Sequence, residues 1–232
     1  MKNKLFISFV LILTSFAFVS CDNDSTAGFT DITYYPVLKV LGEPVVIINK
    51  GTAYVDAGCV AELNGEDITS QVEIKSDVDS NTPGIYSISY KATNADGFSV
   101  SGKRTVYVAD PTPSLISTGM HTVQNGTFRL RQGATIAYEG YDILILQIEP
   151  SVYYVSDYLG GYYDQRVGYG SKYACVGKFR LNTDNSITLI ESSVAGWGDS
   201  LSELAGGTFD PVTGLISWNA KYAGMDFNVI MK

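Results

Sequence analysis

After residue 34 the 232-residue sequence contains no long periodic run of helix formers; short apolar runs, alternating or continuous, are cut at close intervals by Gly, Pro, Asn and Asp. Punctuation of that kind confines a chain to strands joined by tight turns. Only 17% of the residues are charged, and Tyr, Thr, Ser and Gly are abundant, a composition suited to pleated, half-buried surfaces. A hydrophobic fraction of 45% supports one large or two small cores and excludes disorder. The expected class is all-β.

A segment of another kind lies ahead of this pattern. Lys2 and Lys4 precede an apolar stretch from Leu5 to Val19, too short for a membrane span and of the length of a signal-peptide core. Phe18, Val19, Ser20 and Cys21 resemble a lipoprotein lipobox in which Cys21 takes the lipid. Residues 1–20 therefore read as a signal peptide and residues 21–34 as a polar tether. Asp22 and Asp24 resemble the surface-export signal of lipoproteins from glycan-foraging Gram-negative bacteria. This implies a lipid anchor in the outer membrane, with the protein facing the medium. The net charge of −8 argues against nucleic acid and anionic membrane surfaces as partners. With Cys21 lipidated, only Cys59 and Cys175 remain, so no disulfide framework is expected and Cys175 reads as a buried free thiol.

Residues 35–109 read as one small β unit. Apolar runs at 37–40 and 45–48, the alternating Tyr86, Ile88 and Tyr90, and Val106 with Val108 are separated by turn signals around Gly42, Asn64, Pro83 and Asn94. That is the spacing of a sandwich. Gly51, Tyr54, Asp56, Gly58, the stretch from Thr82 to Tyr90, Asp96 with Gly97, and Arg104 to Val108 are similar to the bacterial surface Ig-like domain. The similarity implies a seven-stranded sandwich serving as spacer or interaction module, and no enzyme. Pro111 and Pro113 mark residues 110–114 as a stiff linker.

Residues 115–232 form a second antiparallel β-meander of about eight strands, closed as a barrel or folded as a sandwich. Phe128 and Leu130 are expected to point inward, residues 143–148 to form a central strand buried on both faces, residues 172–181 to form a half-buried strand, and Trp218 to lie in the core. Single helical turns are expected after Ser156 and at residues 200–204. Residues 154–163, 168–170, 181–187, 196–199 and 210–218 resemble the C-terminal domain of two-domain surface lipoproteins that accompany polysaccharide-uptake systems with outer-membrane transporters. That resemblance implies a family but no activity.

No zinc-protease, paired-cysteine, phosphate-loop or nucleophile-elbow motif occurs, and His121 is the single histidine. We therefore expect no enzyme, no cofactor and no metal. Two carboxylates drawn from Asp157, Asp164 and Asp199 are the one hydrolytic arrangement these residues allow, and solvated acids are the commoner reading. The segment from Val152 to Tyr173 stands apart, with seven of the chain's sixteen tyrosines and a high glycine density. Rigid amphipathic rings among Gly, Ser and Asp are the composition of a recognition loop. Tyr153 or Tyr154, and Tyr173, are placed on strands as core. Tyr158, Tyr162, Tyr163 and Tyr169 are placed on an open connection, where their faces could stack on sugar rings while Asp157, Asp164, Gln165 and Arg166 bond hydroxyls. Trp197, between two glycines, is a second platform. The alternative role for the same tyrosines is to fill the mouth of the β domain. At the level of function, a polysaccharide or oligosaccharide held near a transporter is the first reading, and adhesion to another protein is the second.

Overall fold

The computed structural model describes residues 32–232. The signal segment, Cys21 and most of the tether lie outside the described residues. Among those described, the first seven strands form two sheets. β1 (Val37–Val40), β3 (Cys59–Leu63) and β4 (Glu66–Asp67) make a three-stranded sheet; β2 (Val45–Asn49), β7 (Ser99–Ala109), β6 (Gly84–Thr93) and β5 (Glu73–Ser76) make a four-stranded sheet in that order. β2 runs parallel to β7 and the other pairs are antiparallel. Ile88, Tyr90, Val106, Val108 and Cys59 fill the space between the sheets, as the alternation in β6 and β7 requires.

This core also holds a charge. Arg104, 1% exposed, directs its guanidinium at Asp56, which in addition accepts hydrogen bonds from the Tyr90 hydroxyl (2.7 Å), the Tyr54 hydroxyl (3.1 Å) and the Gly58 N–H (2.9 Å). Burial pushes the Asp56 carboxyl up, but the hydrogen bonds and the Arg104 charge outweigh it and hold the group below the usual carboxylate range.

The remaining ten strands form a second sandwich. One sheet runs β14 (Ile187–Ser193), β13 (Val176–Leu181), β12 (Val152–Val155), β11 (Asp142–Glu149), β8 (Gly119–Thr122); the other runs β10 (Ala134–Ala137), β9 (Phe128–Arg131), β17 (Met225–Met231), β16 (Ile216–Tyr222), β15 (Glu203–Phe209). Neither sheet closes on itself, so the choice left open by the sequence resolves to a sandwich. Tyr153 stacks on Phe179 at 5.1 Å, and Trp218, 2% exposed, packs against Phe179 and Tyr158 between the layers. Cys175 is a buried free thiol.

Several expectations change here. β11 is buried on both faces but lies second from the sheet edge, not at its centre. Its inner residues Ile143 and Ile145 belong to the sandwich core, whereas Leu144 and Leu146 face outward onto Tyr107 and Ala109 of β7. The outer face is apolar because the Ig-like sandwich covers it; each buried leucine contributes about 1.5–3 kcal/mol. Asp110 N–H to Gln147 O (2.9 Å) and Gln147 Nε2 to Thr112 O (3.1 Å) fasten the same junction. The facing of β9 is the reverse of that expected. Phe128 and Leu130 lie opposite Asn228 and Asp226, while Arg129 lies opposite the buried Phe227. Paired residues share a face, so Arg129 and Arg131 are on the inner side. Residues 200–204 enter β15 and form no helical turn, and Ser171–Tyr173 is a 3₁₀ turn ahead of β13, not part of it.

Candidate functional site

The connection between β12 and β13 is laid down by a buried carboxylate. Asp157, 1% exposed, accepts hydrogen bonds from the Leu159 N–H (2.9 Å) and the Cys175 N–H (2.9 Å) at Oδ1, and from the Gly161 N–H (3.0 Å) at Oδ2. Burial raises its pKa to about 6 against the pull of these three amides, and the Asp164 charge adds to the rise. Trp218 Nε1 donates to Tyr158 O (2.8 Å), and the Tyr138 hydroxyl donates to Leu159 O (2.7 Å), so side chains from the second sheet and its flank pin the same backbone. Gly161, at φ 77°, then turns the chain into one π-helical turn, Tyr162–Arg166, closed by Arg166 N–H to Gly161 O (2.9 Å) and Val167 N–H to Tyr162 O (3.0 Å).

Part of the expected loop surface is therefore core. Tyr158 is fully buried, its ring edge-on to Trp218 at 5.4 Å, and Tyr162 is 3% exposed against Tyr138 and Phe227. Asp157 has both oxygens committed to backbone. It can serve neither as a sugar ligand nor as one of a hydrolytic carboxylate pair. Gln165 is also committed: its Nε2 donates to Asp142 O (2.8 Å) and its Oε1 accepts from Asp142 N–H (3.3 Å), tying the connection to β11. These four residues position the loop; they do not present it.

The remaining candidates do converge. Trp197 is 43% exposed and Tyr169 is 54% exposed. The Trp197 ring lies 4.9 Å from Tyr163, 4.8 Å from Tyr173, 6.3 Å from Tyr169 and 6.0 Å from Tyr222. Tyr163 and Tyr169 are nearly parallel, 14° apart at 6.2 Å. Tyr163 also rests on Phe227, and its hydroxyl points to Met225 Sδ at 3.8 Å. The turn that presents Trp197 is closed by Val194 N–H to Asp199 O (2.8 Å) and Trp197 N–H to Val194 O (3.1 Å). Gly196 lets the Tyr173 ring lie against this turn, since a Cβ there would come within 2.4 Å of the ring. At the rim, the Tyr222 hydroxyl donates to Asp199 Oδ1 (2.7 Å), and Asp164 is half-buried.

Tyr173 reads as a strand residue, and Tyr222 lies outside the tyrosine-rich segment that marks the loop. Arg129 and Arg131 were missed because Phe128 and Leu130 seemed the obvious inner pair. The glycines on both sides of Trp197 are the sequence signal that marks this turn. Among the described residues no three His, Cys, Asp or Glu side chains are grouped to hold a metal ion.

Residues 38–108 match the family model of the bacterial surface protein Ig-like domain, and residues 110–232 match a model described as a C-terminal domain. The crystal structure of the lipoprotein BT2262 from Bacteroides thetaiotaomicron superposes with a TM-score of 0.78 at 49% identity, covering 85% of this chain and all of that one. The chain belongs to the family of that lipoprotein. The chain thus joins an Ig-like surface domain to a second β-sandwich, and neither matched model describes a catalytic family. No curated protein sequence matches the chain significantly. Two structures from Clostridium perfringens ZmpB were also found: CBM51-2 in complex with GlcNAc and INT domains, and the M60 catalytic domain with CBM51-1 and CBM51-2. They are 21% and 22% identical, cover 51% and 53% of this chain and 31% and 15% of theirs, and reach TM-scores of only 0.27 and 0.28. At that level of superposition they carry no argument about fold or ligand.

Proposed function

We propose that this protein is a non-catalytic recognition lipoprotein, anchored through Cys21 in the outer membrane, that holds a glycan at the Trp197 cluster near an outer-membrane transporter. In this reading the Ig-like sandwich is the spacer and the 110–114 linker is its docked junction. The observation that carries the reading is the aromatic cluster. Five rings gather around one turn, and its tryptophan and one tyrosine remain about half in water. Exposed large rings seated on a rigid base are suited to the C–H faces of sugars. Asp164 and Asp199 at the rim supply acceptors for hydroxyls, and Arg166 supplies donors.

One observation favours contact with another protein instead. Trp197 meets Tyr163 and Tyr169 at 81° and 77°, so the rings form an uneven surface, not a shared plane. Affinity gel electrophoresis against a panel of polysaccharides separates the two. Retention by at least one polysaccharide, abolished in Trp197→Ala and weakened in Tyr169→Ala, supports the glycan reading. Mobility unchanged by every polysaccharide, together with a protein partner lost in Trp197→Ala, replaces it with the protein reading.

A further inference from the structure

Two of the chain's five arginines lie over the Tyr162 ring, which meets Tyr163 of this cluster at 5.0 Å, and a third shares their side of β9. The Arg129 guanidinium lies 5.1 Å from the centre of the Tyr162 ring, and that of Arg166 lies 5.2 Å from it. Arg131 shares the inner face of β9 with Arg129, and both charges act on the Tyr163 hydroxyl, opposing the rise that burial causes. Neither Arg129 nor Arg131 nor Arg166 has a carboxylate partner within 4.0 Å among the described residues, whereas Arg104 does. Arg129 Nε is buried and makes no hydrogen bond. Burial raises the carboxyl of Asp164, the acid nearest to Arg166 in sequence, above its usual range. Three guanidinium groups without counter-ions are unusual on a chain of net charge −8, which has acids to spare for pairing.

Resting on the glycan reading of this cluster, we infer that the ligand is an anionic saccharide, whose carboxylate or sulfate groups meet Arg129, Arg131 and Arg166 while its rings lie on Trp197 and Tyr169. Guanidinium suits this task better than ammonium. It presents a planar fork of N–H donors that matches a carboxylate or sulfate edge, and it remains charged while stacked on an aromatic face. The arrangement divides the labour: the rings take the apolar sugar faces irrespective of charge, and the arginines select for the acid.

The test is binding of the full chain to three immobilised polymers: polygalacturonate, which carries carboxylates; dextran sulfate, which carries sulfates; and unmodified dextran. We expect at least one anionic polymer to bind tenfold or more tighter than dextran, and the Arg131→Gln, Arg166→Gln double variant to lose at least tenfold on it. Both side chains are exposed, and an unchanged thermal melt shows that the fold is kept. Lys103→Gln, an exposed cation of the Ig-like sandwich, should leave binding as it was. Which anionic polymer binds distinguishes carboxylate from sulfate. Equal binding to dextran, or anionic binding indifferent to the double variant, overturns the arginine assignment and leaves the glycan reading standing. Binding to none of the three overturns the anionic-saccharide inference, and the glycan reading is then decided by the wider polysaccharide panel.

Discussion

Each sandwich is organised around one aspartate, partly exposed in the first and fully buried in the second, and they stabilise it in opposite ways. Asp56 is met by Arg104 and by two tyrosine hydroxyls, and its pKa falls. Asp157 is met by three backbone amides and no cation, and its pKa rises to about 6. The first joins side chains across a core, so that Tyr54, Tyr90 and Arg104 hold their places in the Ig-like sandwich. The second organises main chain, and so shapes a surface loop. A charged partner and hydroxyl donors keep a carboxylate ionised and fix the side chains around it, while amide donors let a carboxylate dictate the path of the backbone.

Removing each carboxylate separates the two roles. Asp56→Ala leaves Arg104 buried without its partner and should cost about 3–5 kcal/mol, seen as a lower urea midpoint, while the intrinsic binding of folded protein at the Trp197 cluster stays unchanged. Asp157→Ala strands three buried N–H donors, each worth about 1–3 kcal/mol, and relaxation of the loop should limit the loss to about 3 kcal/mol. In that variant the Trp197 environment should change as well, read by its fluorescence. If Asp157→Ala keeps both stability and the tryptophan signal, the carboxylate does not organise the loop.

The smallest effect is on pH. A carboxyl whose folded pKa lies above its unfolded value of about 3.9 contributes stability that is fully present below pH 4 and is lost as pH rises through about 6. The wild-type chain should therefore lose roughly 1–3 kcal/mol relative to Asp157→Asn between pH 4 and pH 7. The Asp56 contribution runs the other way, being present above about pH 3.9 and lost in more acid solution as the lowered pKa is crossed. Urea titrations at several pH values measure both. A wild-type chain whose advantage over Asp157→Asn grows as pH rises would reverse the assignment.

The all-β class and much of the strand pattern could be read from the sequence, because alternation and turn residues are local properties. Tyr86, Ile88 and Tyr90 announce their shared face without help from any other strand. What could not be read is set by neighbours distant in sequence. Phe128 and Leu130 look like the inner pair of β9 until the register with β17 sets Arg129 opposite Phe227. Leu144 and Leu146 look like the mark of a central strand, yet what covers them is the other sandwich. The candidate site divides for the same reason. Tyr169 and Trp197 stand out by their glycine-rich surroundings, whereas Tyr158 and Tyr162 have nearly the same neighbours in sequence and are drawn inward by the Asp157 amides.

The hydrogen bond from Cys175 N–H to Asp157 Oδ1 closes a loop of eighteen residues with a single side chain. The chain has met the conformational entropy of ordering that loop during folding, before any ligand arrives. On the proposed reading, association at Trp197 is docking onto a finished surface, and little of the interaction energy is spent on immobilising backbone. Separating frame from face in this way lets Tyr169 and Trp197 be replaced without rebuilding the backbone beneath them.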